Sequence, residues 1–179
     1  MSSPSALSIL HFLQSFGLQL AMACSSLINK CFRESWRCIK IGPWGGTGAC
    51  NFDIGRSASQ IKKVVLHTGD TVERLEISYV VDGNEVKTHP IGGSGGQSHE
   101  FELIPGEYIN SMVGSVKTYR GETRISKLEF KTNLGKKHGP FGHGGGTEFT
   151  VPVMDGRIVG FFGQSGCYLN GIGVYLAPN

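Results

Sequence analysis

The chain has 179 residues, a formal net charge of +3, 17% charged residues and 27 glycines. This length suits one domain that buries most of its apolar surface and is short for two. The charge is that of an ordinary protein surface with no basic stripe, so nucleic acid is not indicated as a partner. The glycines are about twice as frequent as in average proteins. Only Gly17 precedes Gly42, which divides the chain near residue 40.

Residues 1–39 are predicted to form an N-terminal extension, either helical or disordered. Its apolar stretch is interrupted by polar residues and is too broken for a membrane span. Ala21-Met22-Ala23 has the form of a signal cleavage site, but no Lys or Arg precedes the apolar stretch. From residue 40 onward the only cysteines are Cys50 and Cys167, and the chain has no N-x-[ST] sequon, so nothing demands an oxidising compartment. We expect a cytoplasmic protein, with secretion as the alternative if the first 23 residues act as a signal. Cys24, Cys31 and Cys38 lack the paired spacing of a zinc site.

From Lys40 to Asn179 the pattern predicts a single all-β domain. Short alternating apolar runs, separated by turn signals such as Asp82-Gly83-Asn84, are typical of an antiparallel sandwich, barrel or prism. The predicted strands are Ile61–Leu66, Leu75–Val81, Phe101–Leu103, Leu128–Lys131, Phe149–Val153, Ile158–Phe162 and Ile172–Leu176.

An internal repeat of about 50 residues organises this domain. Three glycine-rich strings, 45–48, 92–96 and 142–146, each precede a phenylalanine that is predicted to start a strand: Phe52, Phe101 and Phe149. A second series of loops, opened by Gly69, Gly121 and Gly166, runs in phase with the first. Three such units predict three small antiparallel sheets around a pseudo-threefold axis.

Enzyme motifs that use glycine do not fit this context. The chain has no G-x4-G-K-[ST] loop, and the string 93–96 leads into a predicted strand where a dinucleotide site needs a helix. Gly163-Gln164-Ser165-Gly166-Cys167 lacks the last glycine of a nucleophile elbow. The histidines show no metal-ligand spacing. We expect a binding protein without catalytic residues, metal or cofactor.

Three segments together carry a family resemblance. They are Lys40-Ile41-Gly42-Pro43-Trp44-Gly45-Gly46-Thr47-Gly48, Gly139-Pro140-Phe141-Gly142, and residues 159–175 with the sequence VGFFGQSGCYLNGIGVY. Over residues 40–178 the chain resembles the jacalin-related lectins, specifically the uncleaved mannose-binding type of monocot plants. The resemblance implies a β-prism of three four-stranded sheets. It also implies binding of mannose- or glucose-type glycans and assembly into a homodimer or homotetramer.

The resemblance further implies sugar sites, each formed by a glycine-pair loop and a G-x-x-x-D loop. The first site would comprise Gly45, Gly46, Gly166, Cys167, Tyr168, Leu169 and Asn170. Its expected donors are the N–H groups of Gly46, Cys167 and Tyr168. The second site would comprise Gly69, Asp70, Thr71, Val72, Glu73, Gly92 and Gly93. The third loop, Gly121 to Ile125, has no acid at its fifth position and is assigned no site.

Both implied sites depart from the family pattern at the acidic position. Asn170 replaces a carboxylate with an amide, which weakens a hydrogen bond by about 1 kcal/mol and predicts that Asn170→Asp tightens mannose binding. Glu73 keeps the charge but is one methylene longer, and it can equally be a charged turn residue. An alternative is therefore a β-prism interaction domain with weak or lost sugar sites.

Overall fold

A computed structural model describes residues 38–55, 58–151, 153 and 155–179. The predictions for residues 1–37, including the extension and the signal, lie outside the described residues. The described part of the chain contains thirteen β-strands and no helix, and hence no helix able to span a membrane. The strands are β1 Ile39–Gly45, β2 Cys50–Ile54, β3 Gln60–Thr68, β4 Val72–Val81, β5 Asn84–Lys87, β6 Ile91–Gly92, β7 Gln97–Glu102, β8 Ile109–Tyr119, β9 Glu122–Thr132, β10 Lys137–Phe141, β11 Thr147–Thr150, β12 Arg157–Ser165 and β13 Leu169–Ala177.

The strands form three antiparallel sheets with the same layout. The first has the order β1-β13-β12-β2, and the third has the order β10-β9-β8-β11. Among the described residues, these two sheets are joined by a single pairing, that of Ile158 of β12 with Ile109 of β8. The second sheet has the order β7-β3-β4, and the short strands β5 and β6 both pair with β4 at its outer edge. The predicted β-prism is confirmed.

The inner strands bury one face because their apolar residues recur with a period of two. In β3, Val64 and Leu66 are buried and alternate with half-buried neighbours. The inner faces of all three sheets meet in one core, where Phe130 of β9 packs near Phe101 of β7 and Phe161 of β12. This shared core holds the loops of the three repeats at fixed positions.

All seven predicted strands overlap observed ones, but several boundaries were wrong. Phe52, Phe101 and Phe149 do not start strands, since β2, β7 and β11 begin two to four residues earlier. The strand predicted to reach Val153 ends at Thr150. Strand β8, eleven residues long, was missed because Asn110, Ser111, Gly114 and Ser115 interrupt its apolar pattern. Gly114 is required there, because a side chain at this position would collide with the ring of Phe149.

Candidate functional site

Each of the three glycine loops pairs with one loop of the second series through a backbone hydrogen bond. The N–H of Gly46 donates to the carbonyl of Asn170 at 2.9 Å, and the N–H of Gly93 donates to the carbonyl of Glu73 at 2.9 Å. In the third repeat, the N–H of Gly144 donates to the carbonyl of Ser126 at 3.0 Å. The residues predicted for the first site are therefore brought together, and so are those predicted for the second.

The first glycine of each loop is required by the backbone. Gly45, Gly92 and Gly142 have φ values of +110°, +106° and +91°. A side chain at these positions would also collide with the carbonyl oxygen of Asn170, Glu73 or Ser126, respectively. Glycine alone combines this conformation with such close approach.

The loops at Gly166 and Gly69 have matching turns. The N–H of Gly166 donates to the carbonyl of Tyr168, and the N–H of Gly69 donates to the carbonyl of Thr71, both at 3.0 Å. The next residue in each loop, Leu169 or Val72, is fully buried and anchors the turn in the core. Asn170 and Glu73 follow these anchors on β13 and β4.

Each of these two turns contains two adjacent N–H groups that are not used by the backbone, although Thr71 in the second turn is fully buried. Those of Cys167 and Tyr168 in the first turn make no backbone hydrogen bond to a described residue, and the same holds for Asp70 and Thr71 in the second turn. Neighbouring N–H groups of this kind can donate to the oxygens of a ligand. The N–H of Gly46, which was also predicted to be a donor, already serves Asn170.

The third loop has a different structure. Strands β8 and β9 pair as far as Tyr119 and Glu122, so Arg120 and Gly121 form a two-residue turn with φ values of 52° and 82°. The position that matches Asn170 and Glu73 is that of Ser126, one residue later than expected. Its hydroxyl is engaged by Ser115 at 2.7 Å and by the Gly145 carbonyl at 2.8 Å.

Asn170 is buried and makes a contact that the sequence did not indicate. Only 1% of the residue is exposed, and its amide Nδ2 donates to Oε2 of Glu122 at 3.1 Å. Its Oδ1 is buried with no hydrogen-bond partner among the described residues. Glu122 belongs to the third repeat, so the first site takes in a residue from outside its own loops.

Arg124 connects Glu122 to Tyr168. Its Nη2 donates to Oε2 of Glu122 at 3.1 Å, and its guanidinium lies 3.8 Å from the centre of the Tyr168 ring. The hydrogen bonds from Asn170 and then Arg124 lower the pKa of Glu122 below its usual value, so the carboxyl is ionised at neutral pH. One face of the Tyr168 ring is therefore occupied by Arg124.

Glu73 in the second site is placed differently from Asn170. Side chains at Gly69 and Gly95 would both collide with its carboxylate, which therefore lies between these two glycines. No hydrogen bond or ion pair joins this carboxylate to another residue in the described part of the chain. The extra methylene of Glu73 is accommodated by the absence of side chains at Gly69 and Gly95.

The two sites are in contact with each other. A side chain at Gly93, in the glycine loop of the second site, would collide with the carbonyl of Cys167 in the first. Near the same loops, the hydroxyl of Tyr119 donates to Asp70 at 3.2 Å, and Nδ1 of His143 lies 3.3 Å from Asp70. The loops of all three repeats thus form one surface.

Comparison with known proteins places the chain in a family. The model of the jacalin-like lectin domain matches residues 41–175. Horcolin from Hordeum vulgare is 32% identical over 143 residues, which cover 78% of this chain and 97% of horcolin. The structure of wild-type Malaysian banana lectin is 44% identical with a TM-score of 0.75, covering 79% of this chain and 99% of that lectin. AcmJRL, a mannose-binding jacalin-related lectin from Ananas comosus, is 35% identical with the same TM-score and the same coverage of both chains.

Proposed function

The chain belongs to the jacalin-like lectin family, which binds carbohydrates without transforming them, and from this premise we propose that it recognises mannose- and glucose-type glycans. The observation that carries the proposal is the repeated pairing of a glycine loop with a turn that presents two adjacent N–H groups. It occurs at Gly46 with Asn170 and at Gly93 with Glu73. The mannose-binding lectin from Ananas comosus supports the choice of sugar.

Binding at the second site follows from its donors and its acceptor. The N–H of Asp70 would donate to an oxygen of the sugar. The carboxylate of Glu73 would accept hydrogen bonds from two sugar hydroxyls, since it has no partner among the described residues. Because hydrogen bonds to a charged acceptor are stronger than those to an amide, we infer that the second site is the stronger of the two when only the residues of each site's own loops are compared.

Glu73→Gln tests this assignment by isothermal titration calorimetry with methyl α-mannopyranoside. Loss of the charge weakens a hydrogen bond by about 1 kcal/mol, so the Kd of the stronger site should rise about fivefold. The free energy of unfolding should hardly change, because no described residue bonds to this carboxylate. Glu85→Gln, at an exposed glutamate of β5, is the matched control and should bind like the parent.

A second candidate function is a protein-interaction domain with decayed sugar sites. It is favoured by the burial of Asn170 and by the occupation of the Tyr168 ring by Arg124. A glycan array separates the two candidates, because folded protein that binds no glycan would contradict the lectin proposal. Binding to galactosides alone would contradict the assignment of mannose.

A further inference from the structure

We propose that Glu122, from the third repeat, supplies the carboxylate of the first sugar site, where the loop itself has only the amide of Asn170. This inference rests on the proposed sugar-binding function and adds a residue to one of its sites. It gives the third repeat a role in binding although its own loop is closed as a hairpin.

The position of Glu122 follows from the packing of its hairpin. Thr123 lies against the glycine loop of the first site, since a Cβ on Gly46 would be 2.7 Å from the Thr123 carbonyl oxygen. Glu122 pairs with Tyr119 across the hairpin. The ring of Tyr119 in turn lies beside the ring of Tyr168 in the first binding loop. The side chain of Glu122 is therefore held at the edge of the first site, and 59% of it is exposed.

The two carboxylate oxygens of Glu122 have different environments. Oε2 accepts from both Asn170 and Arg124 at 3.1 Å, which fixes the orientation of the carboxylate. No described residue donates to Oε1, so this oxygen is available to a ligand. Arg124 is held in turn by the Tyr168 ring, so the glutamate does not depend on a single contact.

A sugar hydroxyl can use this pair as it would use an aspartate. The hydroxyl would donate its proton to the carboxylate of Glu122 and accept a hydrogen bond from the amide of Asn170. The buried Oδ1 of Asn170 has no partner among the described residues, and buried acceptors are normally paired, so a second sugar hydroxyl that donates to Oδ1 would complete the site. Glu122 therefore restores the charge assistance that Asn170 cannot give.

The contact also changes the result expected for Asn170→Asp. An aspartate at this position would face the Glu122 carboxylate, and two like charges disfavour each other. The predicted gain in mannose affinity should therefore appear only when Glu122 is also replaced by Gln. With Glu122 present, Asn170→Asp should bind no more tightly than the parent.

The test is a nuclear magnetic resonance titration of the ¹⁵N-labelled full chain with methyl α-mannopyranoside, which reports each site separately. The amides of Cys167 and Tyr168 follow the first site, and those of Asp70 and Thr71 follow the second. Glu122→Gln should raise the Kd of the first site about fivefold and leave that of the second unchanged. In the Glu122→Gln protein, Asn170→Asp should recover most of this loss, and Glu85→Gln is the matched control.

Different failures have different meanings. If only Asp70 and Thr71 respond to the sugar, or if Glu122→Gln leaves the first site unchanged, the role of Glu122 is refuted and the lectin function stands. If neither loop responds in the parent protein, the lectin function fails and the inference fails with it. Urea unfolding of each variant shows whether a loss of binding reflects a loss of fold.

Discussion

Gly93→Ala tests whether the two sugar sites are mechanically coupled. Gly93 donates its N–H to Glu73 in the second site, and its Cα faces Cys167 of the first. A methyl group at this position would overlap the Cys167 carbonyl oxygen and lie 3.2 Å from the carbonyl carbon. Because both groups are backbone, neither can rotate away, and one of the two loops must move.

The expected magnitude comes from two opposing effects. Overpacking of this kind costs about 1–3 kcal/mol of stability, whereas replacing Gly by Ala in an ordinary backbone conformation gains about 0.4–1 kcal/mol from the unfolded chain. The overlap is with backbone, so we expect a net loss of about 1–2 kcal/mol. Movement of Cys167 displaces an N–H donor of the first site, and mannose affinity should fall several-fold at both sites.

Gly166→Ala is the matched comparison for stability. Gly166 also lies in a binding loop, but the nearest atom to an added Cβ is Oδ1 of Asn170 at 3.7 Å, an ordinary contact. Its φ is not in the left-handed region, so this variant should be as stable as the parent or slightly more stable. Urea unfolding measures both variants, and the site-resolved titration measures affinity. Equal stability and affinity of Gly93→Ala and the parent would refute the coupling.

Two further predictions concern the core and the acid stability of the domain. Phe130→Ala should lower the free energy of unfolding by about 3–5 kcal/mol, because Phe130 is fully buried among the rings of three repeats; a loss below 1 kcal/mol in urea unfolding would contradict this packing. Burial would raise the pKa of Glu107, but hydrogen bonds from the Ile104 N–H, Lys136 and Thr132 hold it below its usual value. The carboxylate therefore stabilises the fold above the pKa of the unfolded state, and this contribution disappears as the pH falls through the folded pKa. Glu107→Gln should be about 2 kcal/mol less stable than the parent at pH 7, and the difference should shrink in acid; a constant difference from pH 7 to pH 3 would contradict the assignment.

The sequence predicted the strands of the prism where apolar residues are dense. Strands β3, β4, β12 and β13 are of this kind, and their predicted cores lie inside the observed ranges. Strand β8 was missed because its buried face includes Gly114 and Ser115, which lack apolar side chains. The space that Gly114 leaves is filled by Phe149 from β11. Such long-range compensation has no local signature in the sequence.

The site residues were predictable only within each repeat. The pairing of Gly46 with Asn170 and of Gly93 with Glu73 is implied by the family resemblance, and the structure brings both pairs together. Glu122 and Arg124 were not identified, because they come from the repeat whose loop has no acid at the expected position. The signal available in the sequence was Arg120-Gly121, a dipeptide with glycine at the second position of a two-residue turn. It indicates that the following residues project from a hairpin rather than from an open loop.

The third repeat also shows what the glycine motif signifies. Gly142 also has a positive φ and a close approach to a neighbouring carbonyl, like Gly45 and Gly92, although the loop paired with it has no acid at the matching position and its hairpin leaves no open turn. These glycines are therefore required where the outer strands β1, β6 and β10 end beside the neighbouring strand, whether or not a sugar binds there. What distinguishes a binding site is a turn whose N–H groups are not used by the backbone, with a carboxylate nearby. By this criterion the second site is complete in its own loops, and the first becomes complete through Glu122.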